Sequence, residues 1–321
     1  MNPSRPRCLS CGAPDAVLLK SGLRDRYAPQ QEYRIARCRV CRFAFTDPVA
    51  EGYPEDYEPY SVQRQRERTE GTRAAILRVF YRGKGTVAER LLLFVPYVIF
   101  RLRDWMKMRA RDVSAFPFRR RGRLLDVGCG TGELLAVWSV QQDSCVGVEP
   151  KREVALAARE RTGLDIRPGT LFDHPFPPES FDVVTISHVL EHVPDARALL
   201  RRAADLLRPG GELLIWVPNF DSLLRPWMGA GWFPYEIPRH LWHFRAGEVG
   251  ALARAAGLRI VEVTPEANEW VYRQSVRALG GPWASLLGRR SIRILAMVLC
   301  RLLRRADAFR LRARKDPGTA R

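Results

Sequence analysis

The chain has 321 residues, is 46% hydrophobic and 27% charged, and carries a formal charge of +18. That length accommodates one large α/β domain with smaller appendages, and the apolar share is ordinary for a globular protein. The positive charge is confined to the flanks: residues 60–123 hold 17 basic against five acidic side chains and residues 266–321 hold 13 against four, whereas 124–265 hold 14 against 18. A body that gripped nucleic acid would itself be basic, so the distribution argues against that class of partner.

In chain order, the first residues lack the apolar stretch of a signal peptide. Cys8-Leu9-Ser10-Cys11 and Cys38-Arg39-Val40-Cys41 then form two tight pairs about 26 residues apart, followed by the alternating segment 42–46. A two-residue spacer lets both sulfurs of a pair reach one ion, and two pairs complete a tetrahedron, so Cys8, Cys11, Cys38 and Cys41 are candidate ligands of structural zinc in a ribbon. Seven cysteines, four of them in two tight pairs, suit a reducing cytoplasm and a metal better than a disulfide framework. A Pro- and Tyr-rich connector follows from Asp47 to Tyr60, then a basic helical stretch to Arg121. Its longest apolar run, Leu91 to Phe100, contains Pro96 and falls well short of the roughly 20 residues needed to span a bilayer.

From Arg123 short apolar runs alternate with helical windows, the pattern of a parallel sheet with crossover helices. It predicts strands near 123–127, 144–148, 182–187, 212–217 and 258–264, and helices near 132–140, 152–162, 195–207 and 246–256. Beyond Thr264 the pattern is helical and basic, with a last strand near 270–272 left open. Ile292, Leu295, Leu299, Leu302, Leu303, Ala306 and Phe309 share one helical face with arginines on the other sides, predicting a basic amphipathic helix that either packs on the core or lies on an anionic membrane surface.

The segment Leu124-Leu125-Asp126-Val127-Gly128-Cys129-Gly130-Thr131-Gly132 runs a strand into three glycines at alternate positions and then a helix, a turn whose backbone a ligand can approach closely. The third glycine comes one position too early for the dinucleotide fingerprint, which argues against NAD. Glu149 closes the next strand, where a carboxylate can accept two ribose hydroxyls. These blocks, with 181–193 and 207–215, resemble class I methyltransferases in order and spacing, over residues 123–219 and more weakly to about 264. The resemblance implies an α/β, Rossmann-like fold of mostly parallel sheet with helices on both faces, and S-adenosylmethionine as cofactor. Asp126, Gly128, Gly130 and Gly132 would line its methionine end, Glu149 its ribose, and backbone at Thr170 and Leu171 its adenine, where many members carry Gly-Asp. Cys129, Ser187 and His188 complete the candidate cofactor set.

Four of the five histidines, His188, His192, His240 and His243, fall in segments expected near the carboxyl ends of the strands, and His192 and His240 are the candidate catalytic bases. His188, Glu191 and His192, at i, i+3 and i+4, offer a divalent-cation set such as the likeness to some quinone O-methyltransferases implies. The aromatic stretch 232–244 reads as an acceptor wall. The ribbon, connector and later blocks together resemble a bacterial group that includes sugar C-methyltransferases. The expected domains are a zinc ribbon at 1–50, a connector and basic helical segment at 51–121, a methyltransferase domain at 122–265 and a basic amphipathic helical segment at 266–321. The expected function is methyl transfer to a small or lipid-linked acceptor, in the cytoplasm or peripherally at an anionic membrane surface. The rival reading is a non-catalytic module binding S-adenosylmethionine or nucleic acid.

Overall fold

The computed structural model describes residues 8, 10–25, 30–48, 121–139 and 142–318, with isolated positions 86, 88 and 94. The connector and basic helical segment expected at 51–121 therefore lie almost wholly outside the described residues. Two sheets organise the rest. A seven-stranded sheet runs in the order β10 (Leu258–Glu266), β11 (Ala308–Lys315), β8 (Leu207–Pro218), β7 (Phe181–Ser187), β4 (Arg123–Val127), β5 (Ser144–Glu149), β6 (Asp165–Pro168). β4 to β8 pair in parallel, and β11 is antiparallel to both neighbours. The helices α1 (Glu133–Trp138), α2 (Arg152–Thr162), α3 (Ala196–Leu206) and α5 (Ala246–Ala255) fall on the predicted windows, with a single turn α4 (Arg225–Met228) before the last of these. Local chemistry sets their ends. Asp195 accepts the Ala198 amide at 2.9 Å to start α3, and Gly163, at φ 71°, closes α2 in the left-handed conformation that only glycine adopts without cost.

The strands β4, β7 and β8 are buried on both faces, with Leu124, Leu125, Val183, Val184, Leu213 and Leu214 fully enclosed, as parallel strands between helical layers must be. The class I, Rossmann-like architecture expected from the sequence is the one observed.

The expected boundary at 265/266 cuts through this sheet. After α6 (Glu269–Leu279), α7 (Gly281–Leu287) and α8 (Arg290–Leu302), the chain returns as β11, paired with β8 from Ala308↔Pro218 to Arg314↔Glu212. The residues 270–272, where a strand stood open, are helical. The helix expected to reach Phe309 stops at Leu302, because Arg304 turns the chain at φ 55°. β11 alternates Phe309, Leu311 and Ala313 in the main core with Arg310, Arg312 and Arg314 on the other face, where Arg314 donates to Glu212 Oε1 at 2.7 Å.

The second sheet holds the cysteine-bearing module. β1 (Ala16–Arg24), β2 (Glu32–Cys38) and β3 (Ala44–Asp47) form an antiparallel meander, and β3 pairs with β9 (Trp242–His243) from the later part of the chain. Tyr33, Ile35 and Ala44 share one buried cluster with Phe220, Trp232, Tyr235 and Tyr272, so the module is packed into the body rather than tethered to it. A bidentate, fully buried ion pair adds to this seam, with Arg239 Nη1 and Nη2 donating to Asp25 at 3.2 and 3.0 Å.

Candidate cofactor and acceptor site

The turn after β4 takes its shape from three glycines, Gly128, Gly130 and Gly132, at φ 68°, 53° and 70°. Steric demand adds to the backbone demand: a Cβ on Gly128 would lie 2.3 Å from Val189 Cγ2, and one on Gly132 2.8 Å from Ile166 Cδ1. The amides of Gly128 and Cys129 both donate to Val148 O, at 2.8 and 3.0 Å, which ties the turn to the end of β5. Glu149, at that end, accepts the Gly130 amide on Oε2 at 2.9 Å and the Lys151 amide on Oε1 at 3.1 Å. The carboxylate thus stands directly against the glycine turn. Burial raises its affinity for a proton, and the two amides oppose this.

Asp126 lies beneath the turn, 2% exposed, with Oδ1 accepting the Thr185 hydroxyl at 2.7 Å. Burial pushes its pKa up to about 7, the Thr185 hydrogen bond working against that shift and the Glu149 charge with it. Cys129 is also buried beside these two carboxylates, its thiol held in the neutral form mainly by desolvation. Thr170 does not offer its amide outward: N and Oγ1 both donate to Asp173 Oδ2, at 2.7 and 2.8 Å, as the cap of a short helical turn, and Leu171 is buried. The Thr170 amide expected to meet an adenine is engaged within the chain.

Ser187 ends β7, and His188 follows in the left-handed region at φ 55°, its amide donating to Trp216 O at 2.9 Å. The imidazole is 55% exposed, and its Nδ1 lies 3.2 Å from Oε1 of Glu191, which is 1% exposed. Burial alone would raise the Glu191 pKa. The His188 hydrogen bond and the surrounding imidazoles more than offset it and hold the carboxyl at about 2. For His188 partial enclosure disfavours the cation, but the Glu191 hydrogen bond and charge outweigh it and raise its pKa above the ordinary histidine value.

His192 and His240 are placed differently from a solvent-facing base. His240 is 4% exposed, its Nδ1 donating to Pro234 O at 2.8 Å, and His192 Nδ1 donates to Arg239 O at 3.0 Å. Both rings are held near pKa 4, by burial first and, for His192, by its neighbour His240. They are neutral imidazoles stacked edge to face, with centroids 4.6 Å apart. Glu191, His192 and His240 each bring a ligand atom within 4.8 Å of the others, so this trio, rather than the expected His188, Glu191 and His192, has the proximity to hold a cation. Glu236, 3.6 Å from His240 Nε2, and the Arg239–Asp25 pair carried no sequence signal, since Asp25 lies more than 200 residues from its partner.

The four cysteines converge as their spacing predicts. Their sulfurs all lie within 4.8 Å of one another, with Cys8–Cys41 at 3.4 Å and Cys11–Cys38 at 3.6 Å, too long for disulfides and close to the edge of a tetrahedral thiolate cage. The two loops repeat one hydrogen-bond plan. Cys8 and Cys38 donate from N to Ala13 O and Phe43 O, both at 3.0 Å, and accept at O from the amides of Gly12 and Arg42. The Ser10 and Cys41 amides each point at a sulfur at 3.4 Å, which favours the thiolate.

A family model described as "Methyltransferase domain" matches residues 97–263. The ubiquinone biosynthesis O-methyltransferase of Pseudomonas entomophila is 30% identical over 153 residues, covering 44% of this chain and 66% of the relative. That of Marinobacter nauticus is 32% identical over 157 residues with the same coverage. The match thus spans just under two thirds of the length of these relatives. Among solved structures, an S-adenosylmethionine-dependent methyltransferase from Archaeoglobus fulgidus is 21% identical, with a TM-score of 0.46 over 66% of this chain and 94% of that one. With more than half of its length matched by that family model, the chain belongs to the methyltransferase domain family.

Proposed function

We propose that the protein transfers the methyl group of S-adenosylmethionine to a small or lipid-linked acceptor presented between the glycine turn and the 232–244 segment, with His188 as the proton acceptor. The observation that carries this reading is the single exposed imidazole at the end of β7, backed by the buried carboxylate of Glu191 three residues on, whose carbonyl anchors Leu241 and Trp242 of the aromatic segment. Methyl transfer is an in-line displacement at carbon, so alignment supplies much of the rate, and a base is needed only as the acceptor loses its proton. In this arrangement Glu149 accepts the ribose hydroxyls, Asp126 supplies negative charge beneath the sulfonium end, and His188 takes the acceptor proton. The expected test incubates the protein with methyl-labelled S-adenosylmethionine and the soluble and lipid fractions of a cell extract. Label should pass to a small molecule or lipid in a His188-dependent manner. Binding of the cofactor with no transfer to either fraction would favour the non-catalytic alternative.

Two carboxylates make separable predictions. Glu149→Ala should weaken S-adenosylmethionine and its demethylated product alike, by about 10- to 100-fold, because the ribose is common to both and a charge-assisted hydrogen bond contributes about 1.5–3 kcal/mol. Asp126 acts on charge. With a pKa of about 7 it is mostly neutral at pH 6 and mostly ionised at pH 8, so calorimetric affinity for the cationic cofactor should rise by up to about tenfold over that interval, more than for the product. Asp126→Asn should flatten the difference, and an unchanged pH dependence in that variant would remove Asp126 from this role.

We further propose that Cys8, Cys11, Cys38 and Cys41 hold structural zinc. The mutual sulfur distances and the paired amide-to-sulfur hydrogen bonds support it.

A further inference from the structure

α8 is apolar on both of its long faces. Its inner side, through Ala296, Met297 and Cys300, packs on the cluster around Tyr272 and Val276 or is itself buried. The opposite stripe at i, i+3, i+4 and i+7 is Leu295, Val298, Leu299 and Leu302, and these stand 57, 46, 40 and 73% exposed. α7 extends the surface with Trp283, 67% exposed, and Leu286, while Ala284 and Leu287 turn inward. A surface helix in water carries polar residues on its outward stripe, so a contiguous apolar face here requires a partner.

Charge identifies the partner. From residue 270 to 306 the chain has eight arginines and no acidic residue. Exposed Arg289 precedes α8 and exposed Arg290 opens it, while exposed Arg304 and Arg305, each with one guanidinium nitrogen on a backbone carbonyl, follow its end. A second copy of the same face would bring these arginines together, and Glu269, the carboxylate that meets α8, is already paired with Arg273 and Arg293. An anionic lipid surface meets both features at once, the acyl boundary taking the leucines and the headgroups the guanidinium groups. With 13 residues α8 is too short to cross, and no helix among the described residues is long and apolar enough to do so. Trp283 is exposed on α7, and its amphipathic ring suits the headgroup level.

We propose that the outer face of α7 and α8 is a peripheral membrane-binding surface that seats in the headgroup region of an anionic bilayer. The proposal is independent of which acceptor is methylated. The test is co-sedimentation of the full chain with vesicles of phosphatidylglycerol and phosphatidylcholine against phosphatidylcholine alone, at low and high salt. Binding to the anionic vesicles, weakened by salt and reduced at least tenfold in Leu295→Glu/Leu302→Glu, is the expected result. Brominated lipid should quench tryptophan emission in the parent and measurably less in Trp283→Phe. Because these side chains are exposed, circular dichroism and cofactor affinity should be unchanged and serve as controls. Absence of vesicle binding, or binding indifferent to the double variant, would overturn the proposal. So would sedimentation equilibrium showing that the double variant merely converts a dimer to a monomer.

Discussion

Replacing His188 by alanine is expected to lower turnover by about 10²- to 10⁴-fold while leaving the affinity for S-adenosylmethionine nearly intact, the loss typical of removing a positioned base. The neutral His192 and His240, tied by Nδ1 to backbone carbonyls, do not replace it. The pH profile separates chemistry from mere structure. Glu191 raises the pKa of His188 by stabilising its protonated form, so the parent rate should climb with pH through a value above the ordinary histidine range and level off once the imidazole is neutral. Glu191→Gln removes that charge, and the rising limb should move to lower pH. If His188→Ala retained full turnover, or Glu191→Gln left the limb in place, the base would have to be sought elsewhere.

The second large effect concerns the cysteine module. Cys38→Ser should leave the glycine turn able to bind cofactor yet slow methyl transfer by about 10²-fold, since a misplacement of about 1 Å at a reacting pair costs that much. The route is short. Cys38 ends β2, β2 pairs with β3, and β3 pairs with β9, so that Thr46 holds His240 O through its hydroxyl at 2.6 Å and His243 Nε2 at 3.0 Å. Phe43, two residues past Cys41, meets Trp242 edge to face with centroids 6.1 Å apart. The amides of Leu241 and Trp242 in turn donate to Glu191 O. Hydrogen exchange reads this without any acceptor: Leu241 and Trp242 amides should exchange faster in the variant and after chelation, whereas the amides of β4 and β5 should not. Equal acceleration in both regions would mean that the module supports the whole fold rather than this segment.

The glycine turn and its contact with Glu149 were legible because their signals are local. Gly128, Gly130 and Gly132 sit within five residues of one another, Glu149 closes the next strand, and each reports a backbone requirement that the sequence displays directly. The four cysteines were legible for the same reason. The surroundings of His192 and His240 depend on contacts between distant parts of the chain. His240 reads as a candidate base from its residue type, and only the packing of Pro234, Arg239 and Glu236 around it shows a buried neutral ring. Asp25 has no motif, and its role as the partner of Arg239 exists only in three dimensions. β11 was hidden by its own arginines: a strand inside a sheet is expected to be apolar on both faces, and Arg310 and Arg312 are only 4% exposed beside Glu266 and Glu212. Alternation runs over seven residues, but the helical periodicity through Leu295, Leu299 and Leu302 continues in the sequence to Phe309, past the helix's true end at Leu302.

The position of β11 between β8 and β10 has a consequence for biosynthesis. As the polypeptide is made, β8 gains its β7 neighbour early, but its other edge stays bare until a segment ninety positions later, Ala308 after Pro218, has been translated. β10 is likewise left without a hydrogen-bonded partner until that moment. A nascent chain stalled between these points would present two unpaired strand edges, a state prone to association that a chaperone would be expected to shield.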